Sequence, residues 1–232
     1  MSVEALADKF DTSAETIRRD LSVLADAGRL RKVHGGVRSV AIEGEGEFEV
    51  RMRRNALAKR LIAEKLVTLV QPRQTLFLDT GSTTLICAEA LARIKKLTII
   101  TNSSRIAAVF SKGSGGADVY FLGGFFRGDN AQTVGPVTID QTGQYRADNA
   151  IITIGAIDAS GVTDYSNNEA QVARAMIAAS AQVTIVADHT KFNHAASFNV
   201  CSLNDIDTLI SNKAPDSALV GALSKAEVEV HC

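Results

Sequence analysis

The first apolar pattern in the chain has the spacing of a helix. Ile17, Leu21 and Leu24 recur at positions i, i+4 and i+7, so they share one face of an amphipathic α-helix. A Thr-x-x-Glu capping spacing begins just before this pattern, and Ser13, the residue after that threonine, is a second candidate for the cap. The spacing predicts a helix over residues 14–27.

A short basic ribbon follows this predicted helix. Gly28 supplies a left-handed stop, and residues 30–33 then have the composition of a short strand. His34-Gly35-Gly36 can turn the chain back through residues 37–39. A short first helix, a turn, a second helix and a basic hairpin describe a winged helix-turn-helix, which places its second helix in the major groove of DNA.

Polar and basic side chains lie off the apolar face of the predicted helix, where a helix can present them to a duplex. An arginine pair alone is more often the solvated face of a surface helix. The order of cap, apolar face, glycine stop and basic hairpin nevertheless favours DNA binding. The candidate DNA contacts are Ser13, Thr16, Arg18, Arg19, Ser22, Arg31, Lys32, His34 and Arg38.

The chain then passes through a segment of different composition. Residues 41–50 are acidic, contain two glycines and show no clean period, which is typical of a linker. A helix with apolar residues on one side follows from residue 55. We therefore expect a DNA-binding domain over 1–40, a linker over 41–54 and a second domain over 55–232.

Short apolar runs alternate with helical stretches in the second domain. Strands are predicted near residues 75–78, 97–100, 119–122, 150–154, 183–187, 209–210 and 228–230. Strands separated by helical segments form βαβ units with a parallel sheet. The predicted fold is an N-terminal winged helix-turn-helix of the α+β class, followed by an α/β parallel-sheet domain.

Overall charge and composition limit where the protein is expected to act and what it is expected to bind. The 232 residues have a formal net charge of −1, so DNA affinity must come from local basic patches. The chain contains neither an apolar run of about eighteen residues nor a signal-peptide pattern, which predicts a cytoplasmic protein without membrane contact. Three widely spaced cysteines argue against a disulfide framework or a zinc site, and we expect neither metal nor cofactor.

Small polar residues and glycines follow several predicted strands. The clearest case is Asp-Thr-Gly-Ser-Thr-Thr at residues 79–84, which follows a buried strand and opens a helix. Free N–H groups, close backbone approach and hydroxyl donors suit a phosphate, although a plain capped turn explains this motif alone equally well. The candidate ligand contacts at these strand ends are Asp79, Gly81, Ser82, Thr83, Thr84, Asn102, Gly123, Gly124, Arg127, Glu169 and Lys191.

The segment TIRRDL at 16–21, followed by HGG at 34–36, resembles the N-terminal signature of the DeoR family of bacterial transcriptional regulators. The resemblance continues through the DTGSTT, TNS, LGG and VADHTKF segments and covers nearly the whole chain. It implies a sensor domain similar in fold to ribose-5-phosphate isomerase, glucosamine-6-phosphate deaminase and coenzyme A transferases. Family members usually carry a further helix before the point where this chain begins, so the resemblance implies either a winged helix lacking its first helix or a true start that lies upstream of Met1.

The resemblance also implies a function. A repressor of a carbohydrate or polyol catabolic operon would be released from DNA by a phosphorylated sugar or sugar alcohol. DHTKF, the Thr-Asp-Tyr ahead of Glu169 and the C-terminal VEVHC are similar to glycerol-3-phosphate regulon repressors, although these motifs are short and partly shared across the family. A homo-oligomer is expected because symmetric operators suit two-fold dimers.

Two other classes of function remain open at the level of the sequence. A sugar-phosphate isomerase or deaminase-like enzyme with a DNA-binding appendix would need a general base over a substrate carbon. Asp79, Asp158, Glu169 and His189 are candidates by residue type, but their spacing does not mark a catalytic pair, so we expect no enzyme. A DNA-binding protein without a ligand is the third class, and the polar strand ends argue against it.

Overall fold

The computed structural model describes residues 3–26, 30–33, 36–39 and 47–232. The chain divides into two compact units, Met1–Glu45 and Gly46–Cys232. Each unit is described by itself.

The first unit contains helix α1 (Val3–Lys9), helix α2 (Ala14–Asp26) and the strands β1 (Leu30–Val33) and β2 (Gly36–Ser39). The Ser13 hydroxyl accepts the Thr16 N–H at 3.1 Å, so Ser13 rather than the preceding threonine caps α2. Ile17 and Leu21 are buried together with Ala7 of α1. Ile17 and Leu21 of the predicted apolar face therefore lie in the core of this unit.

Strands β1 and β2 form the predicted antiparallel hairpin. Leu30 lies opposite Ser39, and Val33 lies opposite Gly36. The predicted turn residues His34 and Gly35 and the predicted helix stop Gly28 lie outside the described residues. Two helices followed by a hairpin agree with the helix-turn-helix prediction.

The second unit is built from helices packed on a parallel sheet. Its helices are α3 (Phe48–Arg53), α4 (Ala56–Leu69), α5 (Ser82–Leu91), α6 (Ser104–Lys112), α7 (Pro136–Thr142), α8 (Asn167–Ala178) and α9 (Ser217–Lys225). Its strands are β3 (Thr75–Leu78), β4 (Thr98–Thr101), β5 (Asp118–Phe121), β6 (Phe125–Arg127), β7 (Gln132–Val134), β8 (Ala147–Ile152), β9 (Ala156–Asp158), β10 (Gly161–Asp164), β11 (Ser180–Val186), β12 (Phe198–Cys201), β13 (Thr208–Ile210) and β14 (Glu229–His231).

The main sheet has seven parallel strands in the order β14-β13-β11-β8-β3-β4-β5. Leu76 and Leu78 of β3 pack in one apolar cluster with Leu91 of α5, whereas Phe77 packs in a second cluster with Met176 of α8. Successive side chains of a strand point to opposite faces, so this sheet is buried on both. Burial on both faces explains the nearly continuous apolar runs, and the predicted α/β parallel-sheet fold is confirmed.

Helix α3 corrects the predicted linker. Phe48 is buried in the same apolar cluster as Leu76, and residues 48–53 are helical. The predicted linker over 41–54 therefore extends too far at its C-terminal end, because an apolar residue that packs in the core belongs to the second unit. Residues 40–46 lie outside the described residues.

The three cysteines differ in exposure. Cys87 is buried, Cys201 is half-buried and Cys232 is exposed, and all three are free thiols. Burial, with the nearby Asp79 charge, raises the pKa of Cys87 far above its usual range, and burial raises the pKa of Cys201 to about 12.

We expect a thiol-specific disulfide reagent at pH 8 to modify Cys232 in the native protein and Cys87 only after denaturation. The thiolate is the reactive species, and both burial and the raised pKa suppress it at Cys87. Peptide mass spectrometry after timed labelling measures each site. Rapid labelling of native Cys87 would contradict a closed α5 packing face.

Candidate functional site

Two surfaces carry the predicted functional residues, and the first is the outer side of α2. Thr16, Arg18 and Arg19 are exposed, and Ser22 is half-buried with its hydroxyl donating to the Arg18 carbonyl at 2.8 Å. Ser13 and Thr16 share a hydroxyl contact of 2.9 Å at the start of the helix. The exposed arginines therefore stand on the side of α2 away from its core.

The basic residues of the hairpin lie on paired strands. In the register of β1 and β2, Arg31 is opposite Arg38 and Lys32 is opposite Val37. The hairpin thus brings these three basic positions together in sequence and in register. His34, the fourth predicted hairpin contact, lies outside the described residues.

The second surface is the carboxyl edge of the parallel sheet, where β3 and β4 end. Asp79 is buried, and its Oδ1 accepts the Thr153 N–H at 3.0 Å. Thr80 donates its hydroxyl to Asn102 Oδ1 at 3.1 Å, and the Asn102 amide donates to the Thr133 carbonyl at 2.9 Å. These bonds fix Asp79 and Asn102 at neighbouring strand ends, as the parallel topology predicts.

Helix α5 begins at this edge. Ser82, Thr83 and Thr84 form its first turn and are all buried, and the Thr84 hydroxyl donates to the Gly81 carbonyl at 3.1 Å. Among the described residues the helix has no side-chain cap, so its first N–H groups give the edge a partial positive charge. A Cβ on Gly81 would lie 2.2 Å from Thr153 Cγ2, so close packing requires glycine there.

A cluster of amide side chains surrounds Glu169 in the first turn of α8. Glu169 Oε1 accepts the Asn130 amide at 3.0 Å and the Gln132 amide at 2.7 Å. Gln132 is 2% exposed, and its Oε1 has no hydrogen-bond partner within the described part of the chain. Since a buried acceptor without a partner is costly, a ligand hydroxyl or a water suits this position.

A second carboxylate lies where β11 ends. Asp188 is buried, and its Oδ1 accepts the Thr190 N–H at 3.0 Å and the Asn55 amide at 3.1 Å. Burial opposes its ionisation, but the bonds from Thr190 and Asn55 and the Lys191 charge outweigh burial and hold the pKa of Asp188 below its ordinary value. Lys191, half-buried in the short helical turn His189–Lys191, therefore lies close to an ionised carboxylate.

The remaining predicted ligand residues make other contacts. The Gly123 N–H donates to Gln141 Oε1 of α7 at 2.7 Å, and a Cβ on Gly124 would lie 2.1 Å from Thr138 Oγ1. These glycines serve the packing of α7. Arg127 is exposed and pairs with Asp129 at 2.9 Å; this bond, with a smaller effect of the Glu169 charge, raises the pKa of Arg127.

The sequence reasoning missed several residues of this edge. Arg51 and Asn55 fell in or next to the predicted linker, and Asn130 and Gln132 fell in a hairpin, β6–β7, that no apolar period marked. A local signal was lacking, because Asn130 lies in the turn before β7 and Ala131, with a left-handed φ of 53°, interrupts the alternation of a strand.

Comparison with known proteins assigns both units. The DeoR-like helix-turn-helix domain matches residues 1–43, and the DeoR C terminal sensor domain matches residues 54–213. The glycerol-3-phosphate regulon repressor of Haemophilus influenzae is 35% identical over 93% of this chain and 84% of its own. The transcriptional repressor CsqR of Escherichia coli is 30% identical over 99% of this chain and 88% of its own.

A chain of the tetrameric eIF2B-beta2-delta2 complex from C. thermophilum shares the fold. It is 12% identical, with a TM-score of 0.52 over 74% of this chain and 60% of that chain. At this identity the likeness concerns the fold alone.

A helix with exposed arginines and an α/β unit with polar groups at one sheet edge together define a DNA-binding regulator with a sensor domain. The matches over both units show that this chain belongs to the DeoR family of transcriptional repressors. The predicted family and the predicted absence of enzymatic activity are confirmed, and the enzyme alternative is wrong. Within the described residues, each helix is too short or too polar to cross a bilayer.

Proposed function

We propose that this repressor controls a carbohydrate or polyol catabolic operon and leaves its operator when a phosphorylated sugar or sugar alcohol binds the second unit. The observation that carries this proposal is the start of α5, where buried hydroxyl residues and uncapped N–H groups adjoin Asp79 and Asn102. N–H groups at a helix N-terminus favour an anion, and the neighbouring carboxylate and amide favour hydroxyl groups.

In this proposal each predicted residue has a defined task. The effector phosphate lies on the first turn of α5, at residues 81–84, and Lys191 adds positive charge. Hydroxyl groups of the effector meet Asp79, Asn102 and Glu169, with Arg127 at the rim. Gly123 and Gly124 act indirectly, since they seat α7.

Glycerol-3-phosphate is the effector that we propose first. The name of the 35% identical Haemophilus influenzae relative supports it, as do the short motifs around Glu169 and the C-terminus. Other phosphorylated sugars present the same combination of phosphate and hydroxyl groups. They are therefore the second set to test.

On the DNA side, α2 lies in the major groove with Thr16, Arg18, Arg19 and Ser22 at base edges or phosphates. Arg31, Lys32 and Arg38 contact the flanking backbone. The protein binds as a homo-oligomer, because a homo-oligomer matches the two-fold symmetry of operators. The protein acts in the cytoplasm. Release requires that the effector bind the two conformations of the protein unequally.

The test is fluorescence anisotropy with DNA from upstream of the protein's own gene, with and without glycerol-3-phosphate, at one fixed salt concentration. Specific binding that glycerol-3-phosphate weakens supports both assignments. Specific binding that ignores glycerol-3-phosphate but responds to another phosphosugar overturns the named effector alone. Failure to bind any upstream fragment specifically overturns the operator assignment.

Replacement of Lys191 tests the effector site. We expect Lys191→Ala to leave operator affinity intact and to raise the effector concentration at half-release by about tenfold or more, the loss of one charge-assisted bond. Lys213→Ala removes the same charge at an exposed position and is the control. An unchanged half-release concentration in Lys191→Ala would remove this residue from the site.

A further inference from the structure

The chain enters the second unit through a short segment. Side chains from the sheet edge form hydrogen bonds with this segment. We call residues 51–55, between the last turn of α3 and the start of α4, the junction segment. Helix α3 is the first described helix of the second unit, and the chain before it leads to the DNA-binding unit. A change at the junction segment therefore acts on the covalent connection between the two units.

The first contact between the junction segment and the sheet edge is a hydrogen bond from Arg51. Its guanidinium donates to Asn130 Oδ1 at 2.6 Å, and the Asn130 amide donates to Glu169 Oε1 at 3.0 Å. Arg51 is only 8% exposed, so its charge depends on the partners that the protein supplies. Asn130 thus bridges a buried cation in the junction segment and a carboxylate assigned to the effector.

The Glu169 cluster continues to the proposed ligand site. Gln132, which also donates to Glu169, precedes Thr133, whose N–H donates to the Asn102 carbonyl at 2.9 Å. An effector hydroxyl that donates to Glu169 competes with the Asn130 and Gln132 amides. The buried Gln132 Oε1, without a partner among the described residues, is an acceptor that such a hydroxyl can reach in exchange.

The second contact between the junction segment and the sheet edge is made by the Asn55 side chain. Its amide donates to Asp188 Oδ1 at 3.1 Å and to Thr190 Oγ1 at 3.3 Å, beside Lys191. Asn55 has a left-handed backbone with φ of 54°, a conformation that asparagine tolerates better than most residues.

Lys59 of α4 connects the junction segment to α4 through hydrogen bonds. It is buried, and its Nζ donates to the carbonyls of Arg51 and Arg54. Because both acceptors lie at the end of α3, a shift at Arg51 or Asn55 moves α3 and the segment together.

We infer that the junction segment transmits effector binding to the DNA-binding unit, with Asn130 and Asn55 as the two residues that couple it to the ligand site. This inference rests on the proposed function, because it names the route by which occupancy at Glu169 and near Asp188 alters operator affinity. In the empty site, Glu169 accepts a hydrogen bond from Asn130, and Asp188 accepts one from Asn55. In the occupied site, the effector changes these hydrogen bonds.

The experiment measures three quantities for the full chain and its Asn130→Ala variant: operator affinity, glycerol-3-phosphate affinity without DNA, and their coupling. Coupling is the ratio of operator dissociation constants with saturating and without glycerol-3-phosphate. We expect operator affinity without effector to stay within about twofold and glycerol-3-phosphate to bind at least as tightly as in the wild type, because a competing amide is removed from Glu169. The coupling ratio should fall about fivefold or more toward one. Asn168→Ala, the same change at the exposed neighbour of Glu169, is the control and should keep the wild-type ratio.

A second variant guards against misfolding of the first. Asn55→Gly keeps access to the left-handed backbone and removes the side chain that carries the amide, so it should lose coupling in the same way. Wild-type coupling in folded Asn130→Ala and Asn55→Gly overturns this inference and leaves the proposed function standing. A wild-type protein that no phosphosugar releases from its operator overturns the proposed function and this inference together.

Discussion

Gly124→Ala is expected to lower the free energy of unfolding of the second unit by about 3 kcal/mol, from backbone strain together with overpacking. Gly124 has a φ of 139°, and an added Cβ would lie 2.1 Å from Thr138 Oγ1 and 2.9 Å from the Val134 carbonyl. Thr138 in turn donates to the Gly123 carbonyl at 2.7 Å, so the clash also breaks the bond that seats α7. Urea denaturation followed by tyrosine fluorescence measures the loss, because Tyr120, Tyr145 and Tyr165 all lie in the second unit.

Two neighbouring glycines separate strain from packing. Gly135 has a φ of 94° and open space where a Cβ would lie, so Gly135→Ala should cost about 1–2 kcal/mol from strain alone. Gly128 has neither a positive φ nor a described atom within 4 Å of an added Cβ, and Gly128→Ala should change stability by less than about 0.5 kcal/mol. Equal losses for Gly124→Ala and Gly128→Ala would contradict the packing role of Gly124.

Arg18→Ala is expected to weaken operator binding by about 1–3 kcal/mol, roughly five- to 150-fold, if Arg18 reads a base edge. Arg18 is exposed on α2, the helix that a helix-turn-helix places in the major groove. The loss should concentrate at one operator position, so that specificity relaxes there. Titration of wild-type and single-base-variant operators at fixed salt measures both effects.

Arg93→Ala is the matched control for Arg18→Ala, because it removes the same charge from an exposed position in the second unit. It should leave operator affinity unchanged within about twofold. An equal loss on all operator sequences would place Arg18 on a phosphate instead of a base. Full operator affinity in Arg18→Ala would exclude this residue from the DNA contacts.

Local patterns in the sequence predicted most of the architecture. Ile17 and Leu21 marked α2, and the apolar run over 75–78 marked a central strand, because burial on both sheet faces leaves a continuous apolar signal. The small strands β6, β7, β9, β10 and β12 lacked this signal. They form two small antiparallel sheets outside the main one, and polar residues or glycine interrupt their apolar residues, so a continuous apolar run does not mark them.

The candidate site was predictable where chain topology alone brings residues together. Asp79 and Asn102 end neighbouring parallel strands, so the fold class implied their proximity. The contact of Arg51 with Asn130 joins residues 79 positions apart, in a helix that lies within the predicted linker and a hairpin that was not predicted. A single sequence carries no record of such a partnership, because neither residue type is unusual in its local pattern.

The central position of β8 also sets when the sensor can first exist during synthesis. Residues 147–152 pair with β3 on one side and with β11 on the other, so the two halves of the sheet meet only through this late strand. Bringing Phe77 opposite Ala150 closes a long loop, which makes folding slow compared with the local contacts of α1 and α2. Thr153 and Glu169 are made later still. The DNA-binding unit is therefore fully synthesised well before the chain contains the strands that complete the sensor sheet.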